Sequence, residues 1–389
     1  MKNIMPTYGR LDINLVKGSG AYVYDKDGKE YLDFCSGIAV NALGHCHPAL
    51  VFALKEQADV LWHTSNIFKS DKAEALAEKL CDASFADLVF FCNSGAEAVE
   101  GVIKTIRKHF HDKGLENKNR IITFDGAFHG RTIGTISATF KNTEGFAPVL
   151  GGFDQAVFND LESVKAIINE NTAGILVEPI QGEGGVVPAS EEFLQGLRTL
   201  CDEHNILLAF DEVQSGMGRA GTLWAHQSYG VEPDVMAVAK GLGGGFPIGA
   251  ILATTHASSG MVAGTHGSTF GGNPLAIAVA TAVFDIVKTD SFLENVHKVG
   301  AYMREKLRTL NSVKLVRGKG LFIGIMFNDD LKNTDVLKSC VDNGLLVVKA
   351  GENCLRFLSP LIINKSHADE AVNKLQKAIS SKTISSTEG

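Results

Sequence analysis

Asp211 and Lys240 each stand at the carboxyl end of an apolar run, ILLAF before the first and VMAVA before the second, within the stretch 206–249. Both runs have the length and unbroken hydrophobicity of strands buried on two faces, and the residues between them suffice for a crossover between parallel neighbours. The two side chains would then emerge on one edge of one sheet, the carboxyl edge at which open α/β sheets bind ligands. An amine placed there can condense with an aldehyde, and a carboxylate can keep a pyridine nitrogen protonated so that the ring accepts electrons from a carbanion. Pyridoxal phosphate needs both. The same spacing also fits two strand ends joined in a solvated ion pair, an arrangement common in α/β proteins.

The surrounding residues narrow the choice. FDEVQSGMGRAG and DVMAVAKGLGGGFPIGA resemble the cofactor segment of the class III aminotransferases, in the fold-type-I pyridoxal phosphate superfamily, and the likeness runs from GAYVYDKDGKEYLDF near the start to LRFLSPL near the end. It implies an α/β fold with a large domain built on a mostly parallel central sheet and a smaller α+β domain drawn from both chain ends. The boundaries expected are 1–55 for the N-terminal segment, 56–282 for the large domain and 283–389 for the C-terminal part. The implied cofactor is pyridoxal 5'-phosphate, carried by Lys240, which also moves the proton, with Asp211 on the ring nitrogen. Val213 would press the ring from the face opposite Phe128, and Gln214 would reach the phenolic oxygen.

The elements that must position these groups follow in chain order. Residues 20–34 read as a hairpin about Asp27-Gly28. His45 and His47 are not expected to bind metal, because no second ligand cluster has suitable spacing and a proline follows at once. Two helices are expected between Pro48 and Leu80, with Ser70-Asp71 as a cap. LVFFC then turns into a helix through Asn93–Ala96, where small residues expose backbone N–H groups to an anion; the resemblance places the cofactor phosphate on Ser94, Gly95 and Ala96. IITF leads into a loop carrying Phe128, His129 and Arg131. By resemblance Phe128 stacks on the ring, Arg131 clamps the substrate α-carboxylate with its planar fork, and His129 serves only as pocket wall.

AGILVEPI, a helix near 190–204 and the Asp211 strand form a βαβ unit. Glu178 and Glu183 within it are each either cleft carboxylates or solvated; the resemblance favours Glu183, whose family counterpart pairs with an arginine. THGSTFGGNP offers two hydroxyls among glycines, a second candidate phosphate loop. The resemblance sends Thr269 to the cofactor phosphate of a partner subunit, which implies a homodimer with shared active sites, and places Ser268 among the substrate-binding residues. After the helix from Pro274 come further helices and the strands VKLVRG, GLFIGIMF and LLVVKA. Arg356 matches the family arginine that binds the distal carboxylate of glutamate, although Ser359 stands where the family has proline. The tail KTISSTEG is expected to be unstructured.

Bulk properties set the outer limits. The 389 residues, 45% hydrophobic, can bury the cores of two domains. Net charge is −7 with no basic block, which argues against nucleic acid as a partner, and no apolar run reaches membrane-spanning length. The seven cysteines include no Cys-x-x-Cys pair, as expected of reduced thiols, and the N-terminus shows no apolar targeting core, so a cytoplasmic location is expected. GLGGGFPIG is interrupted by Pro247 and lacks the continuation of a dinucleotide fingerprint. The resemblance implies transfer of the terminal amine of N-acetylornithine to 2-oxoglutarate, forming glutamate, with N-succinyl-diaminopimelate as a secondary substrate. Ornithine or another ω-amino acid is the alternative. Ornithine-specific members carry a tyrosine where this chain has Gly37. Mutases, decarboxylases and racemases of the superfamily would use the same lysine and aspartate.

Overall fold

The computed structural model describes residues 3–351 and 353–385. At its centre lies a seven-stranded sheet, in the order Leu88–Cys92, Gly249–Ala253, Val235–Val238, Leu207–Asp211, Thr172–Val177, Arg120–Phe124, Phe153–Ala156. Gly249–Ala253 runs antiparallel to both of its neighbours, and the other pairings are parallel. The sheet is therefore mixed, mostly parallel as expected, with one reversed strand. The Asp211 and Lys240 runs are adjacent and parallel, with Asp211 paired in register with Ala237.

Both sheet faces are covered, which is why these strands read as continuous apolar runs. Leu208, Phe210, Met236 and Val238 join the core on one face. Leu207, Ala209, Val235 and Ala237 join the core on the other. The period of two places alternate residues in different cores. Helix Gly95–Asp112 covers the second face with Val99, Val102, Ile103, Ile106 and Phe110, spaced along one helical stripe. Helix Glu191–His204 covers the first face; Ser190 caps its start by accepting a hydrogen bond from Phe193 N–H at 3.1 Å, and Asn205 ends it in the left-handed conformation. Each fully buried ring or aliphatic side chain here contributes about 1.5–3 kcal/mol relative to exposure.

The smaller domain is drawn from both chain ends. Strand Glu30–Asp33 pairs antiparallel with Tyr22–Asp25 across the expected Asp27-Gly28 turn and parallel with Leu345–Leu346. A second, antiparallel sheet contains Val313–Lys319, Phe322–Phe327, Cys354–Phe357 and Val348–Ala350. Leu32 and Phe34 share a core with Val296, Phe357 and Leu375. Between Pro48 and Leu80 two helices form, Pro48–Ala58 and Asp71–Asp82, the latter capped by Ser70. The expectation of an unstructured tail needs correction. The last helix spans Lys365–Ser385, taking in the first four residues of KTISSTEG, and 386–389 lie outside the described residues.

One segment is conformationally unusual. Ser36, Gly37, Ile38 and Ala39 all have positive φ, making a left-handed turn with a single glycine. Asp33 holds its entry, accepting from Cys35 N–H and Ser36 N–H at 2.9 Å through one carboxylate oxygen and pairing with His45 Nε2 at 2.7 Å through the other. His47 caps helix Pro48–Ala58, accepting from Ala49 N–H at 3.3 Å. Downstream, Phe34 O accepts from Leu358 N–H and Ala42 O from Leu361 N–H, each at 2.7 Å, so the turn is strapped to the chain just after Arg356.

Candidate active site

Asp211 is buried at the end of its strand, and Lys240 follows Val235–Val238 by two residues. Lys240 has φ +45, a conformation that L-residues other than glycine adopt only when their surroundings impose it. Loss of solvent, reinforced by the Arg356 charge and opposed by Asp211, Glu183 and Glu178, pushes its amine down to about 8. Among the described residues the amine takes no hydrogen bond or ion pair. At pH 7 roughly a tenth of such amines are neutral, against roughly one in a few thousand for an ordinary lysine. Covalent capture of an aldehyde cofactor by cofactor-free protein should accordingly quicken about tenfold per pH unit up to about pH 8 and then level off. Stopped-flow absorbance measures this, and a rate still climbing at pH 10 would contradict it.

Asp211 is held from two sides. Its Oδ2 accepts from His129 Nδ1–H at 2.8 Å and its Oδ1 from Val213 N–H at 3.0 Å. Burial opposes a charge on His129, but the Asp211 hydrogen bond and charge outweigh it and raise the imidazole pKa. His129 thus does more than line the pocket: it fixes the carboxylate, and its Nε2 is buried with no hydrogen-bond partner among the described residues. Sequence reasoning missed this role. The signal available was the position of the histidine beside the ring-stacking candidate.

Val213 lies against the start of helix Gly95–Asp112; a side chain at Gly95 would come within 2.6 Å of Val213 Cγ1, so only glycine allows the approach. Ser94 caps that helix, accepting from Glu97 N–H at 3.2 Å, and with Gly95 and Ala96 it occupies the strand-to-helix turn foreseen for a phosphate. The Phe128 loop docks on the same helix, Thr132 Oγ1 donating to Glu100 at 2.5 Å. Arg131 is exposed, its guanidinium 5.4 Å from the centre of the Phe128 ring. Gln214 is buried and accepts from Arg356 Nη1–H at 3.0 Å, while Arg356 Nη2 pairs with Glu183 at 2.6 Å. Ser268 Oγ accepts from Asn93 Nδ2–H and Gly271 N–H at 3.0 and 3.2 Å. Thr269 is exposed beside it, in a recess of about 780 Å3 also lined by His63 and Asn66. No hydrogen bond joins Thr269 to Lys240 among the described residues, and Lys240 does not line that recess.

Comparison with known proteins decides the family. The family described as Aminotransferase class-III matches residues 4–379. The chain belongs to the class III aminotransferases. It is 53% identical to acetylornithine aminotransferase 1 of Bradyrhizobium diazoefficiens, over 99% of this chain and 96% of that protein. Among solved structures, ornithine aminotransferase from Toxoplasma gondii superposes with a TM-score of 0.94 at 32% identity, covering 98% of this chain and 94% of that one. An amine transaminase from an uncultivated Pseudomonas species, in its PLP-bound form, superposes with a TM-score of 0.90 at 26% identity, covering 98% of each chain.

The residues of this aminotransferase fit that cofactor. A helix N-terminus suits a phosphate. A buried carboxylate backed by an imidazole suits a protonated ring nitrogen, and an amine with lowered pKa suits an aldehyde. Glu178, left open between cleft and solvent by the sequence, is buried in the aminotransferase. No helix among the described residues is long and apolar enough to cross a membrane.

Proposed function

We propose that the enzyme moves the terminal amino group of N-acetylornithine to 2-oxoglutarate, yielding N-acetylglutamate 5-semialdehyde and glutamate, the assignment carried under EC 2.6.1.11. N-succinyl-diaminopimelate, with a similar acylated end, is the secondary substrate. Bound pyridoxal 5'-phosphate supplies the aldehyde and the electron-accepting ring. Lys240 carries the proton between substrate and cofactor carbons, Asp211 keeps the ring nitrogen protonated, and Phe128 and Val213 close the two ring faces. Ser94, Gly95 and Ala96 take the phosphate, with Thr269 reaching the partner subunit's. Exposed Phe52, Trp62, Ile67 and Phe270 support a second copy of this chain as the partner. Boundaries at 55/56 and 282/283 belong to the same proposal, as does a cytoplasmic setting for a chain whose seven cysteines are free.

The observation that carries the reading is the Arg356–Glu183 pair. The arginine side chain is 1% exposed and the glutamate 36%, so the acid is the partner free to swing. With it in place the arginine is neutralised and the cleft accepts N-acetylornithine, whose single carboxylate goes to Arg131. With it displaced, Arg356 receives one carboxylate of glutamate and Arg131 the other, Arg131 also holding the carboxylate of the acylated substrate. Gly37 supports an acylated α-nitrogen: it presents no side chain, and the nearest atom to a β-carbon built there is 3.5 Å away, so no ring fills that space.

The test is a pair of half-reactions followed by cofactor absorbance. Arg356→Ala should lower kcat/KM for glutamate by about 10²-fold, the scale of losing one partner of a buried charge pair, and for N-acetylornithine by less than about tenfold. Equal losses would remove Arg356 from substrate selection. Free ornithine turned over with a better kcat/KM than N-acetylornithine would replace this reading with that of an ornithine aminotransferase.

A further inference from the structure

Glu178 lies one residue beyond strand Thr172–Val177, buried and without an ion pair within 4 Å among the described residues. Its two oxygens reach in different directions. Oε2 accepts from Phe128 N–H at 2.9 Å, and Oε1 accepts from Gly182 N–H at 3.4 Å. Phe128 belongs to the loop that also holds His129 and Arg131, and Gly182 begins the turn that carries Glu183. Burying a carboxylate is costly, and a neutral glutamine of the same length would be the cheaper occupant. Glutamine, however, offers one acceptor oxygen and a donor NH2. It can serve only one of these two N–H groups.

The far side of the turn is already fixed by the smaller domain. Gly351 N–H donates to Glu183 O at 2.9 Å, and Arg317 Nε–H to Gly185 O at 2.8 Å. Val186, a β-branched residue at φ +55, is buried against Gly318 and Gly324. At Gly182 a β-carbon would come within 2.6 Å of the Gln214 amide oxygen, so the turn sits hard against the residue that also touches Arg356. What the smaller domain does not supply is a tie to the Phe128 loop.

We propose that Glu178 is a positioning residue, a two-pronged carboxylate that ties the Phe128 loop to the Gly182–Val186 turn beside the Gln181 Nε2–H bond to Asp125 O at 2.7 Å, so that the wall against the cofactor ring and the mount of Glu183 share one side chain. The consequence for substrate selection rests on the function proposed above; the tie itself does not. Burial pushes the Glu178 carboxyl pKa up, with His129 pulling it down and Asp211 pushing it further up.

The experiment compares wild type, Glu178→Gln and Glu178→Asp without cofactor by hydrogen–deuterium exchange, and with cofactor by visible circular dichroism. Glu178→Gln should speed exchange about tenfold in both 126–131 and 181–187, the scale of one lost buried hydrogen bond, and leave the central strands unchanged. Glu178→Asp keeps two acceptors on a shorter stem and should loosen both segments by a smaller factor. The cofactor band of the loaded Glu178→Gln protein should weaken, because the stacking wall is no longer fixed; a role confined to stability would lower Tm and leave that band alone. Loosening of one segment only or of neither, in whichever variant folds, overturns the proposal, as does an unchanged band when both segments loosen. Failure of wild type to retain cofactor or to transaminate would sink the proposed function and leave the exchange result standing by itself.

Discussion

Lys240→Ala protein should lose turnover by about 10⁴-fold or more, the upper range for removal of a positioned proton carrier, with the covalent tether lost as well. The fold should survive, because the side chain makes no hydrogen bond or ion pair among the described residues and its neighbours Ala239, Gly241 and Leu242 are themselves buried. The same lysine should be the one labelled when wild type is treated with borohydride and its peptides are mapped. Activity within tenfold of wild type, or label on another lysine, would end the assignment. Added amines test it further: partial recovery with methylamine would show that a proton carrier, and not the shape of the site, had been removed.

Asp211→Asn should keep cofactor yet fall by about 10²–10³-fold in kcat, comparable to deleting a preorganised electrostatic contact. The geometry explains why so conservative a change matters. Both carboxylate oxygens already accept, one from His129 Nδ1–H and one from Val213 N–H. An asparagine must turn its NH2 toward one of these donors, so it forfeits orientation as well as charge. His129, whose pKa is raised by the Asp211 hydrogen bond and charge, would then sit buried without that carboxylate beside it. Steady-state kcat and cofactor content together give the check, and full activity would exclude the role.

The parts of the site legible in the sequence were those carried by local chemistry. Two apolar runs ending in Asp211 and Lys240 fixed a shared sheet edge, and the switch from LVFFC to a helix through Ser94 located the helix start. What stayed hidden depends on packing between distant segments. Glu178 reaches Phe128 across 50 residues of chain and His129 reaches Asp211 across 82, separations that no periodicity encodes. An apolar run states that a strand is buried but not which way it points, so the reversal of Gly249–Ala253 was invisible. The helical start of KTISSTEG was hidden because Thr, Ile and Ser carry little helix preference of their own; the helix enters it on the strength of the buried face upstream, at Ala368, Ala371, Leu375 and Ala378.

The left-handed turn Ser36–Ala39 has a bearing on heat tolerance. Each of its three non-glycine residues opposes folding by about 1–2 kcal/mol, in a class of molecule whose whole margin is about 5–15 kcal/mol. That load falls on the strand pair and the Asp33 carboxylate that hold the turn's entry, so the N-terminal sheet is where rising temperature would first find slack. Glycine at 36, 38 or 39 would relieve the load but let the segment wander between its two attachments beside Arg356. Lineages moving to hotter habitats therefore face a choice at these positions between a tougher protein and a stiffer cleft, and the present sequence, with glycine at 37 alone, stands on the side of the cleft.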